Sequence, residues 1–146
     1  MTDDRLAIQD LVARYATAAD DRDFDALVAL FSEDAELVRP PALLRTGDSA
    51  VVRGSVTIAD SIVAALKPLH ATYHLIGQHT VSIDSDTAAG KVYCMAHHIY
   101  LRGEEYRDNT MAVRSLDNYQ RGPTGWVFTR REPVVVFSEA RPVRVG

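Results

Sequence analysis

Apolar residues recur along the first third of the chain with the period of a helix. Ile8, Leu11, Val12, Tyr15 and Ala19 fall at i, i+3, i+4, i+7 and i+11, forming one continuous stripe. Thr2 or Asp3 can cap this first helix, and acids in its first turn suit the positive end of the helix dipole. The cluster Asp20-Asp21-Arg22-Asp23 marks its end. Asp23 can cap a second helix, in which Phe24, Leu27, Val28 and Phe31 repeat the spacing and Ser32-Glu33-Asp34 closes it. Ala35 to Val38 reads as a short strand. Arg39-Pro40-Pro41 cannot continue a central strand, because proline lacks the donor. Residues 39 to 49 are therefore expected as a loop, placed to act as a lid. A second short strand, Ala50 to Arg53, precedes a third helix that starts at Gly54-Ser55, carries Ile58, Ile62 and Leu66, and ends at Lys67-Pro68.

From Thr72 the period becomes two. Alternating runs up to Ile83 and from Thr87 to Leu101 flank Asp84-Ser85-Asp86, which predicts a β-hairpin. A turn centred on Ser85 pairs residues whose numbers sum to about 171 or 172, and the second register sets His74 opposite His98. One face then carries Thr72, His74, Ile76, Gln78 and Thr80 beside Val92, Cys94, Ala96, His98 and Tyr100. The other carries Tyr73, Leu75, Val81 and Ile83 beside Tyr93, Met95, Ile99 and Leu101. The mixed face predicts the floor of a pocket, and the apolar face predicts contact with another layer or another subunit. Thr110 to Gln120 reads as a third long strand, with Met111, Val113, Ser115 and Asp117 on one face. After the turn Arg121 to Gly125, Trp126 to Ser138 reads as a last strand broken or edged at Pro133, followed by a loose tail over 139–146. Helices over about 3–66 followed by a four-strand meander over about 72–138 predict a single α+β domain spanning 1–146. Its curved antiparallel sheet would wrap around the N-terminal helices as a cone, open at one end to a ligand.

Composition narrows the function classes. The 146 residues suffice for one core, and 47% apolar with 25% charged residues are globular values. A net charge of −4 carries no footprint for nucleic acid or an anionic membrane. No stretch approaches the ~20 apolar residues of a membrane span, and the first residues lack the basic region and apolar core of a signal peptide, so a cytoplasmic protein is expected. Cys94 stands alone, which excludes an internal disulfide, and its mid-strand place suits a small core residue better than a nucleophile. There is no phosphate loop, dinucleotide fingerprint, zinc-ligand spacing or nucleophile elbow.

Several segments carry a resemblance that covers roughly residues 4 to 137. They are Leu11-Val-Ala-Arg-Tyr15-Ala-Thr-Ala-Ala-Asp20-Asp-Arg-Asp23-Phe24, Leu30-Phe31-Ser-Glu-Asp34-Ala35, Thr72-Tyr-His74, Tyr93-Cys-Met-Ala96-His-His98 and Gly125-Trp126-Val-Phe-Thr-Arg130-Arg131. Each is weak alone; in this order and spacing the chain resembles the SnoaL-like branch of the nuclear-transport-factor-2-like superfamily. Relatives there include scytalone dehydratase, the lindane dehydrochlorinase, polyketide cyclases and steroid isomerases. The β subunits of ring-hydroxylating dioxygenases share the fold without a catalytic site, so the superfamily implies the fold far better than the reaction. In the dehydratase and dehydrochlorinase branches an aspartate ending the first helix and a histidine starting the first hairpin strand act as acid/base pair, which the resemblance carries onto Asp20 and His74. A second histidine of the dehydratase matches His98. The positions of its two carbonyl-polarising tyrosines fall near Ala19 and Arg39, and those of its serine and asparagine near Val113 and Ser115, so a different substrate is implied.

A carboxylate that accepts from one imidazole nitrogen fixes the tautomer and stabilises the imidazolium formed when the other nitrogen takes a proton. Histidine also starts near the pKa a general base needs. Against this, Asp20 can be a solvated helix-end acid like Asp21 and Asp23, and His74 a hydrogen-bonded core histidine. His98 can assist as acid or orient the substrate; His97 is expected on the opposite face as a structural residue, and His79 on the outer face. Tyr15 is either core or a donor to substrate. Tyr100 and Ser115 are candidate pocket residues, and Arg39 is either an anion-binding group or an ordinary loop residue. A metal triad of Asp20, His74 and His98 fits the residue types, but the reactions implied by the resemblance are metal-free, so neither metal nor cofactor is expected. The expected function is a cofactor-independent lyase or isomerase acting on a small hydrophobic, cyclic or polyketide-like molecule. The alternative is a non-catalytic small-molecule-binding or assembly subunit resembling the dioxygenase β subunits. In either case the apolar face of Leu75, Val81, Ile83, Tyr93, Met95, Ile99 and Leu101 predicts a homodimer or homotrimer through the outer face of the sheet.

Overall fold

A computed structural model describes residues 3–146. Helix α1 (Asp4–Asp20) is capped by the Asp3 carboxylate, which accepts the Arg5 N–H at 2.9 Å; Thr2, the other candidate cap, lies outside the described residues. Helix α2 (Phe24–Ala29) is capped by Asp23 and α3 (Ser55–Leu66) starts after Gly54. The strands are β1 (Phe31–Val38), β2 (Val51–Arg53), β3 (Ala71–Asp84), β4 (Thr87–Arg102), β5 (Glu105–Gly122) and β6 (Gly125–Pro142). They form one curved, unclosed sheet in the order β2-β1-β6-β5-β4-β3, antiparallel throughout except for the β1–β6 pair. The fold is α+β. Ile8, Leu11 and Val12 of α1 and Ile58 and Ile62 of α3 pack against Val81, Val92, Tyr119, Trp126 and Phe128 of the concave face. Each such buried side chain stabilises the fold by about 1.5–3 kcal/mol. The entry to α1 is tied to the β5–β6 turn. Asp4 accepts both terminal nitrogens of Arg121 at 2.9 Å and the Trp126 indole N–H at 3.1 Å, and Arg121 holds its carboxyl down at about 2. No helix is long and apolar enough to cross a membrane among the described residues.

Several expectations are corrected. Phe31 does not extend α2: the helix stops at Ala29 and Phe31 opens β1, stacked against Phe128 with ring centroids 5.3 Å apart. Residues 139–142 are not a loose tail but the end of β6, paired with Arg107 to Thr110 of β5. β6 runs unbroken through Pro133, because β1 pairs with it only up to Arg131 and the missing donor falls where no neighbour asks for it.

The largest correction is the register of the hairpin. Beside the turn Asp84 pairs with Thr87, but Ile76 pairs with Cys94 and His79 with Val92. Gly77 and Gln78 thus oppose Tyr93 alone, a β-bulge. His74 pairs with Ala96 and Thr72 with His98, so the two histidines are diagonal neighbours rather than opposite ones. The bulge also reverses the faces beyond it. His79, Val81 and Ile83 turn inward and Gln78 and Thr80 outward, against the expectation for all five. His79 Nε2 lies 3.0 Å from the Tyr119 hydroxyl. Gly90 makes room there, since a Cβ on it would stand 2.9 Å from Tyr119 and 3.0 Å from His79. The outer apolar face therefore loses Val81 and Ile83. It keeps Leu75, whose row runs through Met95 and Ala112 to Phe137 across four strands; Leu75 and Phe137 are 56% and 63% exposed.

Candidate active site

Asp20 ends α1 and His74 lies in the first turnless stretch of β3, so helix and strand meet at one pair. Asp20 Oδ1 stands 2.6 Å from His74 Nδ1, and its Oδ2 accepts the His74 backbone N–H at 3.1 Å. The Thr72 hydroxyl donates to Oδ1 at 2.8 Å. The carboxylate favours Nδ1 as the protonated nitrogen and leaves Nε2 as an acceptor. His74 lines a cavity of about 560 Å³; Asp20 sits behind it, outside the lining. The His98 ring meets that of His74 edge-on, centroids 5.7 Å apart. Burial first, and then the neighbouring His74, push His98 down to about 4.

That shift has a measurable sign. As pH falls from 6.5 towards 4 the unfolded chain protonates His98 while the folded chain does not, so its contribution is complete above about 6.5 and is lost through that window. The loss is on the order of 3 kcal/mol at most. Urea unfolding between pH 7 and 4 should therefore be less steeply pH-dependent in His98→Gln than in the natural chain; equal slopes would contradict the assignment.

The remaining wall is largely apolar: Leu37, Ile62, Leu66, Leu69, Ile76, Met111, Val113 and Val135. Cys94 also lines it, and burial pushes its thiol up to about 11, which keeps it protonated. Loop residues Arg39, Pro40, Leu43, Arg45 and Asp48 also line the cavity. Arg39 spends its guanidinium on the Ser49 carbonyl, through Nε at 3.0 Å and also through Nη2, so it closes the loop on itself. Tyr15 lines the cavity while packing edge-on against Phe31 and Phe128. Ser115 lines it too, but donates its proton to Asp117 Oδ1 at 2.8 Å and so faces the cavity only as an acceptor. Tyr100 is not part of the lining, against expectation: it lies two residues beyond His98, opposite Arg107. His97 faces the outer side, where its Nδ1 meets Asp108 Oδ2 at 2.7 Å. No three metal-binding side chains cluster among the described residues.

One functional candidate escaped the sequence reading. Arg131 is 6% exposed and lines the cavity, its guanidinium carbon 4.4 Å from the centre of the Tyr15 ring and 4.6 Å from that of Phe128. Its Nε–H donates to Asp117 Oδ1 at 2.9 Å, and its terminal nitrogens have no protein acceptor among the described residues. Asp117 is fully buried and also accepts from Tyr119 at 2.9 Å. Strict alternation from Trp126 and Phe128 would turn Arg130 inward; a bulge at Thr129 hands that place to Arg131.

The sequence profile of the SnoaL-like domain matches residues 1–132. The chain belongs to the SnoaL-like domain family. An uncharacterised protein of Mycobacterium tuberculosis (strain ATCC 25618 / H37Rv), Rv2910c, is 29% identical over 136 residues, 93% of this chain and 88% of that one. Among solved structures, a candidate aromatic ring hydroxylase from Novosphingobium aromaticivorans superposes with a TM-score of 0.78 at 26% identity, covering 96% and 93% of the two chains. The hexachlorocyclohexane dehydrochlorinase LinA-type3 from Novosphingobium barchaimii LL02 superposes with a TM-score of 0.75 at 19% identity, covering 95% of this chain and 89% of that one. SnoaL-like architecture thus accounts for the helices first, the meander after, and a cavity between them.

Proposed function

We propose that this SnoaL-like protein is a cofactor-independent lyase or isomerase acting on a small, mostly apolar and cyclic molecule that carries a carbonyl or incipient enolate oxygen. The observation that carries the reading is the 2.6 Å Asp20–His74 contact on the wall of a largely apolar cavity. His74 Nε2 takes a proton from a carbon next to the carbonyl, and Asp20 stabilises the imidazolium that forms. The free terminal N–H groups of Arg131 face the developing oxyanion, where a fixed donor in a water-poor site is worth most. His98, held neutral, offers an N–H to a leaving group. The name of the dehydrochlorinase neighbour describes an elimination, which opens with the same proton abstraction.

The test is native mass spectrometry with a panel of small cyclic ketones, phenols and polyketide fragments, run on the natural chain and on an Asp20→Asn/His74→Ala double variant. Binding followed by a ligand mass change that the variant abolishes supports a lyase; altered retention without mass change supports an isomerase or cyclase. Equal binding by both proteins with no turnover overturns the reading in favour of a non-catalytic binding or assembly subunit.

We further expect a homodimer or homotrimer, because the outer row from Leu75 to Phe137 is apolar and exposed at both ends. Light scattering at micromolar concentration should give a multiple of the chain mass, and Leu75→Glu/Phe137→Glu should reduce it. A clean monomer for the natural chain would refute the assembly.

A further inference from the structure

We propose that Arg22 is a positioning residue for the acid/base pair: its guanidinium sets the direction of the Thr72 hydroxyl, and through it the orientation of the Asp20 carboxylate against His74. The inference rests on the reading of Asp20 and His74 as the reacting pair.

The first observation is conformational. α1 ends in a Schellman motif: the Asp23 N–H donates to Ala18 O at 2.9 Å and the Arg22 N–H to Ala19 O at 3.1 Å. That geometry requires a left-handed residue between them, normally glycine, and here it is Arg22 with φ +54°. A residue with a Cβ held there is strained, and such strain persists where the surrounding structure over-determines the conformation.

The second observation is what the side chain does. Arg22 Nη1 donates to Asp20 O at 2.8 Å and to Thr72 Oγ1 at 2.7 Å, with a longer contact of 3.4 Å to Ala19 O; Nη2 donates to Leu66 O at 3.2 Å. One guanidinium therefore joins the ends of α1 and α3 to the start of β3. Arginine has no acceptor, so in the Arg22–Thr72 contact the hydroxyl oxygen must accept. The hydroxyl proton is then directed at Asp20 Oδ1, 2.8 Å away, in a site where Thr72 is only 8% exposed. Asp20 ends with two donors on Oδ1 (Thr72 and His74 Nδ1) and one on Oδ2 (the His74 N–H), a pattern that rotation of the carboxylate would break. Without Arg22 the Thr72 hydroxyl is free to turn away, and the carboxylate loses the donor that opposes its rotation.

The experiment uses ¹⁵N-labelled full-length protein and the Arg22→Gly, Thr72→Val and Thr72→Ser variants. Arg22→Gly suits the left-handed backbone while removing the guanidinium, Thr72→Val keeps the shape while removing the hydroxyl, and Thr72→Ser keeps the hydroxyl. The readout is the low-field Nδ1–H resonance and the tautomer of His74. The natural chain and Thr72→Ser should show one Nδ1–H tautomer with a protected proton. Arg22→Gly and Thr72→Val should show a mixed tautomer and loss of that proton to exchange. The His97–Asp108 pair on the opposite face, at 2.7 Å, is the internal control and should be unchanged in all four proteins. In a turnover assay both disruptive variants should lower kcat about tenfold with KM within twofold, as a misaligned base does. A single, protected His74 tautomer retained in folded Arg22→Gly and Thr72→Val overturns the proposal, as does loss of the His97 signal together with that of His74. If Arg22→Gly fails to fold, the Thr72→Val and Thr72→Ser comparison decides alone. The resonance needs no substrate, so a protein without turnover would count against the proposed function while this readout still judges Arg22.

Discussion

Replacing His74 by alanine should lower the chemical rate by ~10²–10⁴-fold, the usual worth of a positioned general base, and leave ligand binding within a few-fold. The asymmetry follows from the site. Binding surface is supplied by the apolar wall from Leu37 to Val135, whereas the histidine that both lines the cavity and has a carboxylate behind it is His74. Asp20→Asn should be nearly as damaging, because an amide no longer stabilises the imidazolium. The Asp20→Asn/His74→Ala double variant should be little worse than His74→Ala, since the pair acts as a unit. Single-turnover kinetics on the ligand that the natural chain converts would show this; a His74→Ala protein turning over within a few-fold would remove the histidine from the mechanism.

The second large effect is on stability. Asp117→Ala should lower the unfolding free energy by about 3–5 kcal/mol, the range for breaking a buried ion pair by removing one partner. The variant leaves Arg131 as a buried cation without its carboxylate and strands the Ser115 and Tyr119 hydroxyls, which all converge on Asp117. The Asp117 side chain is fully buried and that of Arg131 7% exposed, so solvent cannot substitute. Adding Arg131→Met to Asp117→Ala should recover part of the loss by removing the unpaired charge. Urea denaturation of the natural chain and the two variants measures both the loss and the recovery; a cost below about 1 kcal/mol for Asp117→Ala would mean the network is far less coupled than its geometry implies. The same network presents Arg131 to the cavity, so it joins fold stability to the candidate site.

Local rules carried much of the architecture. The stripe from Ile8 to Ala19, the caps at Asp3 and Asp23, the Gly54-Ser55 start and the Lys67-Pro68 stop are all where the chain alone places them. Each depends on neighbours within a turn or two, as capping and helical periodicity do. Asp20, His74 and His98 were legible through spacing and family resemblance, and the Asp20–His74 contact and the His74–His98 approach both occur. Tyr15, Ser115 and Arg39 reached the cavity wall, although Ser115 and Arg39 have hydrogen bonds already committed inside the protein. Tyr100 did not, because the cavity ends at His98.

The amino-acid sequence by itself determined the order and nature of most elements and the hairpin, since these follow from periodicity and turn chemistry; the resemblance then singled out Asp20 and His74 as the candidate acid/base pair. Only the tertiary structure decided which side chains of the long strands face the cavity. A strand has a period of two, so one extra residue reverses every side chain beyond it. The bulge at Gly77–Gln78 turned His79, Val81 and Ile83 inward, and the bulge at Thr129 brought in Arg131 in place of Arg130. Gly77, a glycine inside a strand, was a readable warning of the first; Thr129, β-branched and at home in any strand, gave none of the second. It lies where β6 pairs with both β5 and β1, and both pairings shift register there, so it involves partners distant in sequence.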